Sequence, residues 1–237
     1  MSFLSSSAFM IGLDALMVVY SLWVISTQRR LGKTGAVIAG FLALWLAGLH
    51  AGLSNHALFP EGVSGFAFLL VIFAAVGVVG GLLLLVAPVR RMLLELDQSR
   101  LLLLQGIRVF FGGNFLMMAA TGALPLGFGI LDGFTHIGAG FFGLIAAFAW
   151  AAGVEGERRA WFANLFGLAD ILVVASSLAL LLLPELGPHH NMMYAVFLPA
   201  PLWLWFHLFS IWKLLRTPSA PLSASETTSV PIKGKLK

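Results

Sequence analysis

The sequence predicts an all-α, polytopic membrane helical bundle of about seven transmembrane helices, and three observations carry that expectation. The chain is 59% hydrophobic and 10% charged, with a mean hydropathy of +0.97, whereas ordinary soluble domains are about 25% charged. Its apolar residues gather into runs of the ~20 residues that a helix needs to cross a ~30 Å hydrocarbon layer. The 237 residues leave little between those runs, so no separate soluble domain is expected.

In chain order the spans fall at about 8–26, 35–53, 64–88, 101–121, 130–152, 161–183 and 193–213, each bounded by charges or turn residues. Met1 to Ser7 lacks a cationic n-region and a small-residue cleavage site, so the first run reads as a permanent helix. The second closes on the loop from Asn55 to Gly62, which contains Pro60. On the third, Gly77-xxx-Gly81 has the spacing of close helix packing, read here as internal rather than between copies of the chain. The basic stretch from Val89 to Arg100 reads as a loop, and the fifth span follows the turn around Pro125. On the seventh, Pro199 and Pro201 remove backbone donors and are expected to kink the helix. Residues 1–216 thus form one seven-helix transmembrane domain, and 217–237, rich in Ser, Thr and Pro, are expected to be a flexible cytoplasmic tail.

Charge fixes the expected orientation. Thirteen of the 14 Lys and Arg residues lie in alternate loops or the C-terminal stretch: Arg29, Arg30 and Lys33, then Arg90, Arg91 and Arg100, then Arg158 and Arg159, then Lys213 onward. The intervening loops carry only Glu61, Glu185 and uncharged or imidazole side chains. The positive-inside rule then gives N-out and C-in, as expected of a multi-pass protein of the cell inner (plasma) membrane. Tyr20, Trp23, Trp150, Trp161 and Trp212 fall near the same ends, at the headgroup level that amphipathic rings prefer.

Composition also excludes several functions. The net charge of +4 is scattered between apolar runs, so it reads as topology, with the lipid bilayer and no nucleic acid as partner. Self-association into a homo-oligomer stays open. The absence of cysteine removes disulfides, thiolate metal sites and iron–sulfur ligation. No Walker loop, GxSxG elbow, dinucleotide fingerprint or intramembrane lysine occurs, which sets aside ATPase, serine hydrolase and rhodopsin chemistry. Seven spans are also the count of the membrane zinc hydrolase and adiponectin-receptor-like group, but its HxxxH ligand pair is missing here.

The informative residues are the ionisable ones inside spans, each costly at the bilayer centre unless it faces the bundle and finds a partner. At ~1.5 Å rise per residue they sort into two layers. The inner layer holds Gln105 and Arg108 on one face of the fourth span, Asn164 and Asp170 on the sixth, and His207 on the seventh. Asp170 is the expected counter-ion of Arg108. That pair either fixes helix register or serves an anionic substrate or a proton path.

The outer layer holds Asp14, His50, Asn114, Asp132 and His136. Asp132 and His136 are four apart, and Gly140, Gly143 and Ala147 continue their face, so that stripe should press against another helix. His50, His136, Asp14 and Asp132 are ligand types for a divalent metal, and a facing His pair for haem b. The blander expectation is that Asp132 simply orients His136.

The best expectation is therefore a small permease or ion/proton-handling protein. Its path residues would be Arg108, Asp170, Gln105, Asn164, His207, Asp132, His136 and Asn114. The alternatives are a membrane metal- or haem-binding redox or hydrolytic protein, and a structural subunit of a complex. The orientation is open to test in this cysteine-free chain. Arg90→Cys and Arg158→Cys should resist a membrane-impermeant maleimide applied to intact cells, while Glu61→Cys should react; labelling of the first two would reverse the topology.

Overall fold

Every apolar run is helical in the computed structural model, which describes residues 7–216. Seven helices are long and apolar enough to cross a membrane, and they are joined by short connections, with no strand among the described residues. They are α1 (Ser7–Ser26), α2 (Gly32–Ser54), α3 (Gly65–Leu85), α5 (Gln98–Ala120), α6 (Leu126–Ala152), α7 (Gly156–Leu186) and α8 (Met193–Arg216). The expected tail, 217–237, lies outside the described residues.

The stretch expected as a loop before α5 instead contains a short helix, α4 (Ala87–Glu95). Its sequence is amphipathic: Val89 and Leu93 are buried, while Arg90, Arg91 and Glu95 on the other faces are exposed. Arg90 reaches back to the Leu84 carbonyl at 2.7 Å, satisfying one of the acceptors left open at the end of α3. Arg29 pairs with Glu95 at 2.6 Å, so basic residues from separate loops do converge at one end of the bundle.

Helices α5 and α8 form the centre, each 67% buried over its most apolar stretch, against 17% for α2. Around this pair, α6 packs on α5 and α7, and α8 also touches α7 and α3. Helix α2 rests on α1 and the start of α8. Large apolar side chains such as Leu44, Leu85 and Phe148 cover the outer flank in full exposure.

The seam between α5 and α6 is set by glycine. A side chain at Gly112 would strike the Gly133 carbonyl and Ile137, and one at Gly140 would strike Val109. The stripe that continues from Asp132 and His136 is thus pressed against α5. The Gly77-xxx-Gly81 expectation is corrected: neither position has a neighbour that a side chain would meet, and both lie on open flank. The close approaches on α3 are made by Gly65, against the Ala179 backbone, and Gly80, over which the Trp205 ring lies.

Three departures from regular helix follow from local chemistry. Pro184 cannot continue the ladder of α7, and the turn before it, Leu178–Leu182, widens into a π-bulge. Leu198 breaks α8 just before Pro199. The Phe197 carbonyl that Pro201 leaves without its helical donor accepts the Trp45 indole N–H at 2.9 Å. In α5, residues Leu104–Ile107 tighten into a 3₁₀ turn, and the Leu103 carbonyl at its start accepts the Tyr20 hydroxyl at 2.7 Å. Tyr20 therefore points into the bundle rather than lying at its rim.

Replacing the buried glycine should be far more harmful than replacing the open one. Gly112→Val should destabilise by about 1–3 kcal/mol through overpacking, and Gly77→Val by no more than about 0.5 kcal/mol. Unfolding of the two variants in detergent checks this, and equal losses would refute the assigned seam.

Candidate functional site

Four helices bring polar groups to one place. Helix α5 contributes Gln98, Gln105 and Arg108, α6 contributes Asp132 and His136, α7 contributes Asn164 and Asp170, and α8 contributes Trp203, His207 and Ser210. All ten are buried.

The centre of the cluster is Arg108, fully buried and bonded through Nη2 to Asp170 Oδ2. The same guanidinium lies 5.1 Å from the centre of the Trp203 ring, a cation–π distance. His136 Nδ1 sits 2.9 Å from Asp132 Oδ1 and 3.3 Å from Asp170 Oδ2. These are ion-pairing distances, but the carboxylates lie off the line of the ring N–H, and both Asp132 oxygens, Asp170 Oδ1 and His136 Nδ1 lack an aligned partner. Phe115 and Trp203 meet the His136 ring edge to face.

A second branch runs from Arg108 towards the basic end. Arg108 Nη1 lies 3.2 Å from His207 Nε2. A guanidinium only donates, so Nε2 must accept and His207 must be the neutral Nδ1–H tautomer. That N–H donates to Asn164 Oδ1 at 3.0 Å. The Asn164 amide then donates to Ser210 Oγ at 2.7 Å and to the Ala160 carbonyl at 2.8 Å. Gln98 also donates to Ser210 Oγ, at the foot of α5. Gly167 makes this branch possible, since a side chain there would occupy the His207 ring position and touch Arg108.

The two expected layers therefore meet, and the depth estimate is corrected. Helix α7 begins at Gly156, before the arginines from which depth was counted. Asp170 thus lies about 21 Å from the basic end, close to the ~24 Å of His136 counted back from Ala152. The long Arg108 side chain spans the remaining difference.

Not every expected member joins. Asn114 donates instead to the sulfurs of Met10 and Met118, at 3.1 and 3.4 Å. Asp14 is fully buried, and neither of its oxygens has a hydrogen-bond partner among the described residues. His50 bonds the Tyr194 hydroxyl at 2.6 Å. The four-residue ligand set of His50, His136, Asp14 and Asp132 is accordingly not assembled. The three-residue group that does converge is Asp132, His136 and Asp170, with one donor atom each within 4.8 Å of the others. A dication seated there would lie against the Arg108 guanidinium, whose charge disfavours it.

Sequence reasoning missed Trp203, Ser210 and Gln98. Trp203 and Ser210 do share a helical face with His207, which was the available signal, whereas Gln98 fell before the expected helix start. In the far loops, the rings of His56 and His189 stack at 4.5 Å, and His190 bonds the Ala123 carbonyl at 3.1 Å. Burial holds the titration of His190 below its ordinary range.

The fold and site define an all-helical bundle of membrane-spanning length built around an internal charge cluster. The chain belongs to the DUF8737 family, described as a domain of unknown function, whose model matches residues 66–215. That stretch holds the whole cluster and leaves α1 and α2 outside. No curated protein and no solved structure matches the chain.

Removing one partner of a buried ion pair strands a charge at a cost of about 3–5 kcal/mol, whereas apolar replacement of both is close to neutral. Arg108→Met and Asp170→Leu should each lower stability by about that amount, and the double variant should recover most of it. Additive losses in a denaturant titration would show that the two side chains are not coupled.

Proposed function

We propose that this is a seven-span inner-membrane protein, N-out and C-in with 217–237 as its cytoplasmic tail, that handles protons or another small cation in the manner of a permease. Helix length and composition support insertion, as does a flank of exposed apolar side chains that water would not tolerate. The basic residues at one end support the orientation.

The observation that carries the function is a charge count. Arg108 pairs with Asp170, and His136 lies at ion-pairing distance from both Asp170 and Asp132, with all four side chains buried. Two carboxylates and one guanidinium leave a net charge of −1, and a proton on His136 brings the set to zero. Charge imbalance is expensive at low dielectric, so the site holds one exchangeable positive charge.

Arg108 also decides the route. Its guanidinium does not deprotonate, so it interrupts any relay between His136 and His207. A proton on His136 is placed to exchange with Asp132, and release to the other side requires the Arg108–Asp170 pair to part. The branch from His207 to Gln98 serves to position Arg108.

Reconstitution into proteoliposomes under an imposed pH gradient tests this. Wild-type protein should dissipate the gradient, and Asp132→Asn, which leaves Arg108 and Asp170 balanced, should slow it at least ~10-fold while melting normally. A proton-tight wild type, or a variant that only loses stability, would overturn the proposal in favour of a structural subunit. Stoichiometric metal or a Soret band in the purified protein would overturn it in favour of a metal or haem protein.

A further inference from the structure

The charged cluster is approached from the side of the bundle rather than from either end. Asp132 and His136 line one wall of a cavity of about 40 Å³ whose other walls are apolar, among them Ile72 and Phe73 of α3, Leu172 and Ala175 of α7, and Ala200 of α8. Phe73 and Leu172 at its rim are 45% and 47% exposed, which places the mouth on the apolar flank between α3 and α7. A molecule reaching Asp132 by this way comes from the hydrocarbon phase.

We propose that this cavity binds a lipid-soluble primary ammonium ion, which enters between α3 and α7 and takes the place of the proton on His136. The inference rests on the single-charge site argued above and names its substrate class.

Four properties select that chemistry. First, about 40 Å³ holds one or two water-sized groups, which admits an –NH₃⁺ but not a trimethylammonium or a ring, while the apolar mouth suits an alkyl chain. Second, the carboxylate that lines the cavity, Asp132, is fully buried, and its oxygens have no aligned hydrogen-bond donor among the described residues. An ammonium brings donors to these acceptors. Third, the charged and titratable groups around His136 are Arg108 on α5, Asp132 on α6, Asp170 on α7 and, behind Arg108, the neutral His207 on α8. With His136 unprotonated they sum to −1, which a monocation cancels and a dication or neutral molecule does not. Fourth, Phe115 and Trp203 present aromatic rings that favour a cation. Either a proton or an ammonium thus fills the site, and binding of one displaces the other.

The test uses the full chain in lipid nanodiscs with n-octylammonium as probe, read by calorimetry and by the midpoint of thermal unfolding. Saturable binding at pH 8 that weakens at least ~10-fold at pH 5 is expected, together with a loss of at least ~10-fold in Asp132→Asn. Ala175→Phe, which narrows the passage without touching the charges, should also weaken it. Octanol, octyltrimethylammonium and ethylammonium should bind poorly, for want of charge, fit and tail respectively. Equal binding of octanol or octyltrimethylammonium, affinity unchanged in both variants, or no saturable binding would overturn the inference. A gradient-dissipating protein that ignores octylammonium would sink this substrate class and leave proton handling standing; a proton-tight protein that binds octylammonium in the expected pattern would do the reverse.

Discussion

A guanidinium enclosed in an apolar bundle is the constraint that organises this molecule. Arg108 cannot shed its charge, and stranding it unpaired in hydrocarbon would offset much of a domain's stability. Its surroundings answer that demand on three sides: Asp170 on α7, the His207 ring nitrogen on α8, and the face of Trp203. Because those partners sit on two helices other than its own, the cation fixes how α5, α7 and α8 stand relative to one another. Small residues then complete the fit, Gly167 under the imidazole and Gly112 and Gly140 along α6.

The cluster divides into parts with different chemistry. Towards the basic end, the His207 N–H and the Asn164 amide each have an aligned acceptor, and the bond from Arg108 to His207 Nε2 admits one tautomer. Such a branch holds a geometry. Around Asp132 and His136 the reverse applies: charges are close, alignment is poor, and acceptors outnumber donors. Unsatisfied buried acceptors are rare in settled cores; among the described residues they occur beside the cavity, at Asp132, and also at Asp14, Gln98, Gln105 and Asn114.

Much of the architecture was readable from the chain itself, because hydrophobic runs of membrane length and the alternation of basic loops are local signals. The ends of the helices were not, since Gly156 and Gln98 are weak start signals, and this error of a turn separated residues that touch. The pairing of Arg108 with Asp170 was legible, as a buried cation narrows the choice of partner. The company of His136 was not. Asp132, four residues away, was certain to be near, but whether His50 or Asp170 came from across the bundle depends on which helices are neighbours, and spacing carries no information on that. Amphipathic α4 was hidden because its nine residues were too short to register as a periodic segment.

The indole of Trp45 joins the most peripheral helix to the break in the most central one. Together with the His50–Tyr194 bond, it ties α2 to the short stretch of α8 that precedes the bend at Leu198. Trp203 and Ala200, just beyond that bend, also form part of the cavity wall. Displacing α2 outward would withdraw the indole donor and leave the Phe197 carbonyl, next to the bend and the cavity wall, without the hydrogen bond it has here.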